Sequence, residues 1–321
     1  MEPSSIPAHA PVQGWGLVPH GISFAGDATA VTVDSQDRVV IFNRGPVPVV
    51  VFDSEGNYLS SWGEGDYHAP HAVAIDAEDN VLLVDTGGSY LGEGGHVFEK
   101  RTLEGELLLR IGSQGKCAER YSGEPFNGPT DVAVHPRTGE LFITDGYGNS
   151  RVHRFSPEGE HIASWGELGS DPGHFDVPHG IAFIDDDHVA VCDRENFRVQ
   201  IFTTEGEFVE QWFAHRPGAI RAAGGLLYLA ELGPVAFQWG LPNLGCRIRI
   251  LSMDGRDVAR FGNALPGTGP DQFIAPHGLG IDSVGSVYIA EVSKTWLGFV
   301  GDPVAPGSEV VSLRKWMRTD S

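Results

Sequence analysis

The sequence contains little cysteine and few basic residues, and each shortage excludes a class of protein. Its 321 residues include three cysteines, Cys117, Cys192 and Cys246, and no Cys-x-x-Cys pair. Three cysteines at these spacings exclude a disulfide framework as the basis of the fold. Lysine and arginine number 22 against 43 aspartates and glutamates, so the net charge is −21. Because such a chain repels phosphate backbones, we expect no nucleic acid partner.

Long apolar segments are also absent. No stretch approaches the roughly 18 apolar residues of a membrane-spanning helix. The first residues, MEPSSIPAHAPVQGWG, lack the basic and then apolar regions of a signal peptide. We therefore expect no membrane partner and a cytoplasmic location, while the sequence leaves the oligomeric state open. With 41% hydrophobic residues the chain can still bury a substantial core.

A repeat is the main feature that the sequence does contain. Three segments share one pattern: APHAVAIDAEDNVLLVD (69–85), VPHGIAFIDDDHVAVCD (177–193) and APHGLGIDSVGSVYIAE (275–291). Related segments without the histidine lie at 28–43, 128–145 and, in a worn form, 217–231. Six copies at intervals of roughly 50 residues are typical of propellers and solenoids.

The repeat predicts the fold. Each copy contains four short apolar runs with alternating patterns and turn signals between them, which indicates four antiparallel strands. Six such units predict an all-β, six-bladed β-propeller that forms one domain over residues 1–321. A β-solenoid is the alternative, but it expects shorter repeats. The expected blades are 20–65, 68–113, 126–168, 175–213, 214–263 and 273–317.

The last of these blades lacks a fourth strand in the C-terminal sequence. Residues 12–16 (VQGWG) resemble the outer-strand segments SSWGE and ASWGE of other repeats. We therefore expect the N-terminal strand to complete the last blade and to remove its open edge.

Histidines mark every second repeat. The first strand of a propeller blade lines the central channel, so its opening residue lies at one rim. The six opening residues are Thr29, His71, Thr130, His179, Gly218 and His277. Because alternate positions on a six-fold ring form a near-regular triangle, three imidazoles can point at one spot, as in catalytic zinc sites. The alternative is that Pro-His is only the consensus of the repeat and that the rings cap the channel.

The second strands end on polar residues at the same rim. For Asp85, Asp145 and Asp193 we expect a structural role, in which the carboxylate accepts N–H groups of the turns. Arg44, Tyr147 and Arg194 follow such strand ends and would project beside the metal. Two arginines can hold a carboxylate, and a tyrosine there can act as a general base. Solvated turn residues are the alternative for each position.

One long segment resembles a known enzyme family. DGYGNSRVHRFSPEGEHIASWG (145–166), with VPHGIAF and CDRENFRVQIF after it, is similar to peptidyl-α-hydroxyglycine α-amidating lyase, a propeller built from NHL repeats. This family cleaves an N-acyl hemiaminal to an amide and glyoxylate. The resemblance implies Zn²⁺ on His71, His179 and His277. It also implies Tyr147 as the base, with Arg44 beside it and Arg194 on the substrate.

Two positions depart from the family. Ala275 stands where the family has a methionine that lines the substrate pocket, and Gly278 stands where it has the aspartate of a structural Ca²⁺ site. Because calcium sites depend on carboxylate oxygens, the resemblance does not carry the Ca²⁺ site over to this chain. Trp-bearing insertions at 229–243 and 290–303 would further reshape the rim.

Three functions follow from these observations. The leading hypothesis is a metal-dependent lyase that acts on a hydroxylated small molecule or peptide. A propeller hydrolase, such as a lactonase, would use the same metal to activate water. A non-catalytic NHL scaffold would instead bind a protein partner on its rim and would need no metal.

Overall fold

The computed structural model describes residues 6–87, 94–303, 305 and 310–319. The chain divides into two compact units, one of Met1–Ser61 with Arg221–Ser321 and one of Trp62–Ile220. Its strands form six four-stranded antiparallel sheets, and the described residues contain one α-helix. The predicted six-bladed β-propeller is thereby confirmed. Antiparallel pairing of consecutive strands excludes the solenoid alternative, whereas the single-domain assignment stays a prediction.

The unit Trp62–Ile220 contains blades 2, 3 and 4, numbered in chain order. Blade 2 consists of β6 (Pro70–Ile75), β7 (Val81–Asp85), β8 (Val97–Arg101) and β9 (Leu107–Gly112). Blade 3 consists of β10 (Pro129–Val134), β11 (Leu141–Asp145), β12 (Arg151–Phe155) and β13 (His161–Trp165). Blade 4 consists of β14 (Pro178–Phe183), β15 (His188–Asp193), β16 (Arg198–Thr203) and β17 (Phe208–Phe213).

The other unit contains blade 6 and nearly all of blades 1 and 5. Blade 1 consists of β2 (Ala28–Val33), β3 (Val39–Asn43), β4 (Val49–Phe52) and β5 (Tyr58–Trp62). Blade 5 consists of β18 (Pro217–Ala223), β19 (Leu226–Glu231), β20 (Arg247–Ser252) and β21 (Asp257–Phe261). Blade 6 consists of β22 (Pro276–Ile281), β23 (Val287–Glu291), β24 (Leu313–Arg318) and β1 (His9–Val12).

The N-terminal strand completes blade 6, as predicted, but from residues nearer the start of the chain. β1 pairs with β24 from His9 opposite Arg318 to Val12 opposite Lys315. The expected strand at 12–16 was wrong because the strand ends at Val12, residues 13 and 14 form a turn, and residues 15 and 16 lie outside any strand. The resemblance to SSWGE reflects packing: Trp15 donates its Nε1–H to Ser54 O at 2.8 Å, as Trp62 does to Leu103 O at 2.9 Å.

The strands of a blade differ in how deeply they are buried. The second strand of each blade is almost wholly buried, as β7 shows, whereas the outer strand β9 is largely exposed. Apolar residues of blades 2 and 3 pack face to face in one core. That core includes Leu82, Phe98, Phe126, Val132 and Ile143. Such interlocked faces hold consecutive blades together through the hydrophobic effect.

Buried carboxylates end the second strands and organise the turns. Asp85 accepts the backbone N–H groups of His68 and Ala69, each at 2.7 Å. Asp145 accepts the N–H of Asn127 at 2.9 Å, and Asp193 accepts that of Asp176 at 2.7 Å. The expected structural role of these carboxylates therefore agrees with their contacts.

The two insertions pack together in the unit that contains blade 6. Residues Ala236–Gln238 form a short 3₁₀ helix, and Ser293–Phe299 form the helix α1. Trp296 of α1 packs with Trp239 of the other insertion and with Ala275 just before β22. Among the described residues, no helix is long and apolar enough to span a membrane.

Candidate active site

Two of the predicted histidines lie in matching bulges of blades 2 and 4. His71 is the second residue of β6, and His179 is the second residue of β14. The pairing register shifts at both residues, between Pro70 and Ala72 and between Pro178 and Ile181. A bulge turns a side chain out of the regular alternation of a strand. Both imidazoles are buried, with 1% and 2% of their residue surface exposed.

The Nδ1 atom of each imidazole contacts the next blade along the chain. His71 Nδ1 lies 2.6 Å from Thr130 O, and His179 Nδ1 lies 2.5 Å from Gly218 O. Because a carbonyl oxygen can only accept, the Nδ1 atoms carry the protons in both rings. Each Nε2 atom therefore presents a lone pair. This is the arrangement that orients metal-ligating histidines in other proteins.

Both Nε2 atoms face Tyr147, which lies in the turn after β11. The Tyr147 hydroxyl is 3.0 Å from His71 Nε2 and 3.2 Å from His179 Nε2. The two imidazoles approach closely, with ring centroids 4.8 Å apart. The structure thus brings these three side chains together, and their roles in a functional site stay predictions.

Arg194 joins the same group from the turn after β15. Its Nη1 donates to the Tyr147 hydroxyl at 3.4 Å, and its guanidinium carbon lies 5.4 Å from the centre of that ring. Glu195 accepts from Arg194 Nε at 2.8 Å and from Arg216 Nη2 at 2.6 Å. The carboxylate therefore bridges two arginines.

The opposite charges of Arg194 and Glu195 shift the pKa of each group toward its ionised form. Burial acts to lower the pKa of Arg194, but the charges and hydrogen bonds of Tyr147 and Glu195 outweigh it, so this pKa is raised. Burial acts to raise the pKa of Glu195. The hydrogen bonds and charges of Arg216 and Arg194 outweigh that effect and hold the pKa below its ordinary value. Both groups are therefore ionised at neutral pH.

His277 has the same local geometry in the other compact unit. It is the second residue of β22, and the register shifts there between Pro276 and Gly278. Its Nδ1 lies 2.7 Å from Thr29 O, so Nε2 again presents the lone pair. The repeat therefore gives all three histidines one tautomer and one strand position.

Arg44, in the same unit as His277, is held by α1. Its Nη1 donates to the Thr295 hydroxyl at 3.1 Å and lies 3.8 Å from Asp27 Oδ2. Thr295 in turn donates its hydroxyl and its backbone N–H to the carboxylate of Asp27, at 2.6 and 3.0 Å. The proposed role of Arg44 toward substrate stays a prediction.

The nitrogen donors of the histidines suit zinc and not calcium. Neutral imidazole Nε2 atoms, each oriented by a carbonyl on Nδ1, suit a divalent transition metal such as zinc. Calcium requires oxygen ligands. Gly278 offers no side-chain oxygen, and a Cβ added to it would lie 2.6 Å from Ala30 Cα. The calcium site of the resembled family therefore does not fit this chain.

Sequence reasoning missed the residues that support the site. Glu195 and Arg216 were not singled out, although Glu195 adjoins Arg194 in DREN and Arg216 precedes the Pro-Gly of the fifth repeat. The carbonyl oxygens of Thr130, Gly218 and Thr29 carry no sequence signal, because any residue type supplies one.

Comparison with known proteins decides the family. The NHL repeat pattern matches residues 126–155 and 175–202. The chain is 30% identical over 285 residues to NHL repeat-containing protein 3 of Mus musculus, an alignment that covers 84% of this chain and 78% of that protein. This chain belongs to the NHL-repeat family.

Within that family, the resemblance to the amidating lyases is confirmed. The chain is 29% identical over 319 residues to peptidyl-alpha-hydroxyglycine alpha-amidating lyase 1 of Drosophila melanogaster, in an alignment that covers 84% of this chain and 56% of that protein. It is 31% identical over 252 residues to peptidyl-glycine alpha-amidating monooxygenase of Mus musculus, in an alignment that covers 65% of this chain and 25% of that protein. The chain thus spans about a quarter of the length of that monooxygenase.

Solved structures share the fold of this chain. A gluconolactonase from Xanthomonas campestris has a TM-score of 0.57 at 14% identity and covers 97% of this chain and 98% of its own. A virginiamycin B lyase from Staphylococcus aureus has a TM-score of 0.56 at 14% identity and covers 92% and 96%. At such identities the likeness concerns the fold alone.

Proposed function

We propose that this chain is a metal-dependent lyase that cleaves N-acyl hemiaminals of the α-hydroxyglycine class to an amide and glyoxylate. One observation carries the proposal. The Tyr147 hydroxyl lies 3.0 and 3.2 Å from the Nε2 atoms of His71 and His179, with Arg194 at 3.4 Å. A proton-accepting group, ligand nitrogens and a cation for an anionic substrate thus share one place, and the lyase-named relatives are consistent with this use.

His277 completes the proposed metal site as its third ligand. Support comes from its equivalent repeat position, from the bulge at that position and from its Nδ1 hydrogen bond to Thr29 O. The proposed ion is Zn²⁺, because three neutral imidazoles with an open fourth position are typical of catalytic zinc. Bound there, such an ion would supply Lewis-acid polarisation of the substrate hydroxyl.

The residues of the chain then carry out the proton transfers. The Tyr147 phenolate takes the hydroxyl proton as the C–O bond becomes a carbonyl. The C–N bond breaks, its electron pair leaves with the amide nitrogen, and that nitrogen receives the proton back from Tyr147. Arg194 binds the substrate carboxylate and holds it beside the phenol ring. Arg44 is proposed as a second cation for the same carboxylate.

The alternative hydrolase would use the same imidazoles for a different purpose. It would activate water at the ion and attack an ester or lactone, so it would need no proton acceptor at the position of Tyr147. The placement of the Tyr147 hydroxyl against two ligand nitrogens therefore favours the lyase. A non-catalytic scaffold would gain nothing from that placement.

The test is the release of glyoxylate from α-hydroxyhippurate, the simplest aromatic N-acyl hemiaminal, by zinc-loaded protein. We expect turnover that a zinc chelator abolishes and that His179→Ala lacks. His188→Ala is the matched control, because His188 lies in the same blade and bonds Asp185 at the surface. Hydrolysis of lactones without glyoxylate release from the hemiaminal would refute the lyase.

A further inference from the structure

The fifth repeat has lost its histidine but contacts the site from a single tripeptide segment. Arg216, Pro217 and Gly218 stand where other repeats have the residue before Pro-His, then Pro and His. Gly218 O accepts the Nδ1–H of His179 at 2.5 Å. Arg216, two residues earlier, reaches Glu195 beyond the end of β15. All of these residues lie in the compact unit Trp62–Ile220.

The contacts of Glu195 fix the orientation of Arg194. Arg216 grips both oxygens of the carboxylate, with Nη2 2.6 Å from Oε1 and Nε 3.1 Å from Oε2. Oε1 also accepts from Arg194 Nε at 2.8 Å. With that edge of its guanidinium held, Arg194 directs Nη1 at Tyr147. A planar guanidinium held on one edge has few ways to turn.

Arg216 is buried in the interior of the protein. Its residue is 6% exposed, and its backbone adopts a φ of +47°, a conformation that side-chain-bearing residues rarely take. A buried arginine is costly unless it is paired. The carboxylate it pairs with also separates two like charges, which would otherwise repel Arg194 from its position.

From this geometry we infer that Arg216 is a positioning residue of the reaction, acting through Glu195 to hold the Arg194 guanidinium against Tyr147. The inference rests on the proposed function. The divergent fifth repeat thereby supports the site at two points. Gly218 O accepts a hydrogen bond from His179, and Arg216 holds Arg194 through Glu195.

A double-mutant cycle tests this inference on activity. Arg216→Gln should lower kcat/KM for α-hydroxyhippurate by about 10–100-fold, the cost expected when a substrate-binding group is displaced. In an Arg194→Gln background the same change should cost less than about 2-fold, because Arg216 has lost the group through which it acts. Equal losses in both backgrounds would overturn the inference. Arg137→Gln, at an exposed arginine of blade 3, is the control.

A second measurement does not depend on turnover. Crystal structures of the wild type and of Arg216→Gln should show Arg194 beside Tyr147 only in the wild type. An unchanged Arg194 in the variant would overturn the inference even if α-hydroxyhippurate is not a substrate. Should Arg216→Gln fail to fold, Arg216→Lys tests the same inference, because a lysine keeps the charge but cannot bind both oxygens of Glu195 as the planar guanidinium does.

Discussion

His179 donates its Nδ1–H to the carbonyl oxygen of Gly218 across a distance of 2.5 Å. The donor belongs to blade 4, and the acceptor is the residue that stands at the histidine position of the fifth repeat. His71 and His277 make the same kind of bond, to Thr130 O and Thr29 O. In each case the carbonyl of the opening residue of another repeat thus sets the tautomer of the histidine. An imidazole held in this way binds a metal without first losing a proton from Nε2.

The first prediction concerns the metal. The purified protein should contain about one zinc ion per chain, since the proposed site has three imidazoles, which is a ligand set typical of one catalytic zinc ion. His71→Ala, His179→Ala and His277→Ala should each lower the zinc content strongly, measured by elemental analysis after extensive dialysis. His188→Ala should keep the wild-type content. Zinc that persists in all three variants would show that the histidines are not its ligands.

The second prediction concerns the glycine after His277. Gly278→Ala should lower the free energy of unfolding by about 1–3 kcal/mol, because the added methyl would lie 2.6 Å from the backbone of Ala30. Gly298→Ala in α1 is the control, since a Cβ there meets nothing within 4 Å. Chemical denaturation measures both. Equal stability of the two variants would contradict the close approach of β22 and β2.

The third prediction concerns calcium. The protein should melt at the same temperature with and without a calcium chelator that spares zinc, because Gly278 supplies no carboxylate to such a site. Differential scanning calorimetry on zinc-loaded protein gives the comparison. A rise of several degrees on adding calcium would contradict this expectation.

The fourth prediction concerns the completion of blade 6. Trp15 packs against Phe52 and Tyr288, with ring centroids 5.5 and 4.9 Å apart, and donates to Ser54 O. Trp15→Ala should lower the free energy of unfolding by roughly 2–4 kcal/mol. Leu17→Ala, at a side chain that is 77% exposed, should leave stability nearly unchanged. Similar losses in both variants would argue against a structural role for Trp15.

The strands and the spacing of the histidines could be predicted from the sequence. Alternation and turn residues recur in each copy, and Pro-His opens β6, β14 and β22. A local pattern that recurs in several copies can be recognised because each copy supports the same prediction. The strand expected at 12–16 was misplaced since the Trp-Gly signal marks a packing position, which here follows β1 instead of ending a strand.

The support of the site could not be predicted in the same way. The Nδ1 acceptors are backbone carbonyls, whose position depends on how one blade packs on the next. The bridge from Arg216 to Glu195 joins residues 21 positions apart, at positions where the other repeats have neither an arginine nor a glutamate. Contacts of this kind arise once per molecule, so no repetition marks them in the sequence.

Replacement of Tyr147 by phenylalanine tests the central claim most directly. The change removes only the hydroxyl that lies against His71 Nε2 and His179 Nε2. With zinc content and melting temperature unchanged, the release of glyoxylate from α-hydroxyhippurate should fall by roughly 10²–10⁴-fold, the contribution of a general base. Wild-type turnover that persists undiminished in Tyr147→Phe would contradict the assignment of Tyr147 as the base.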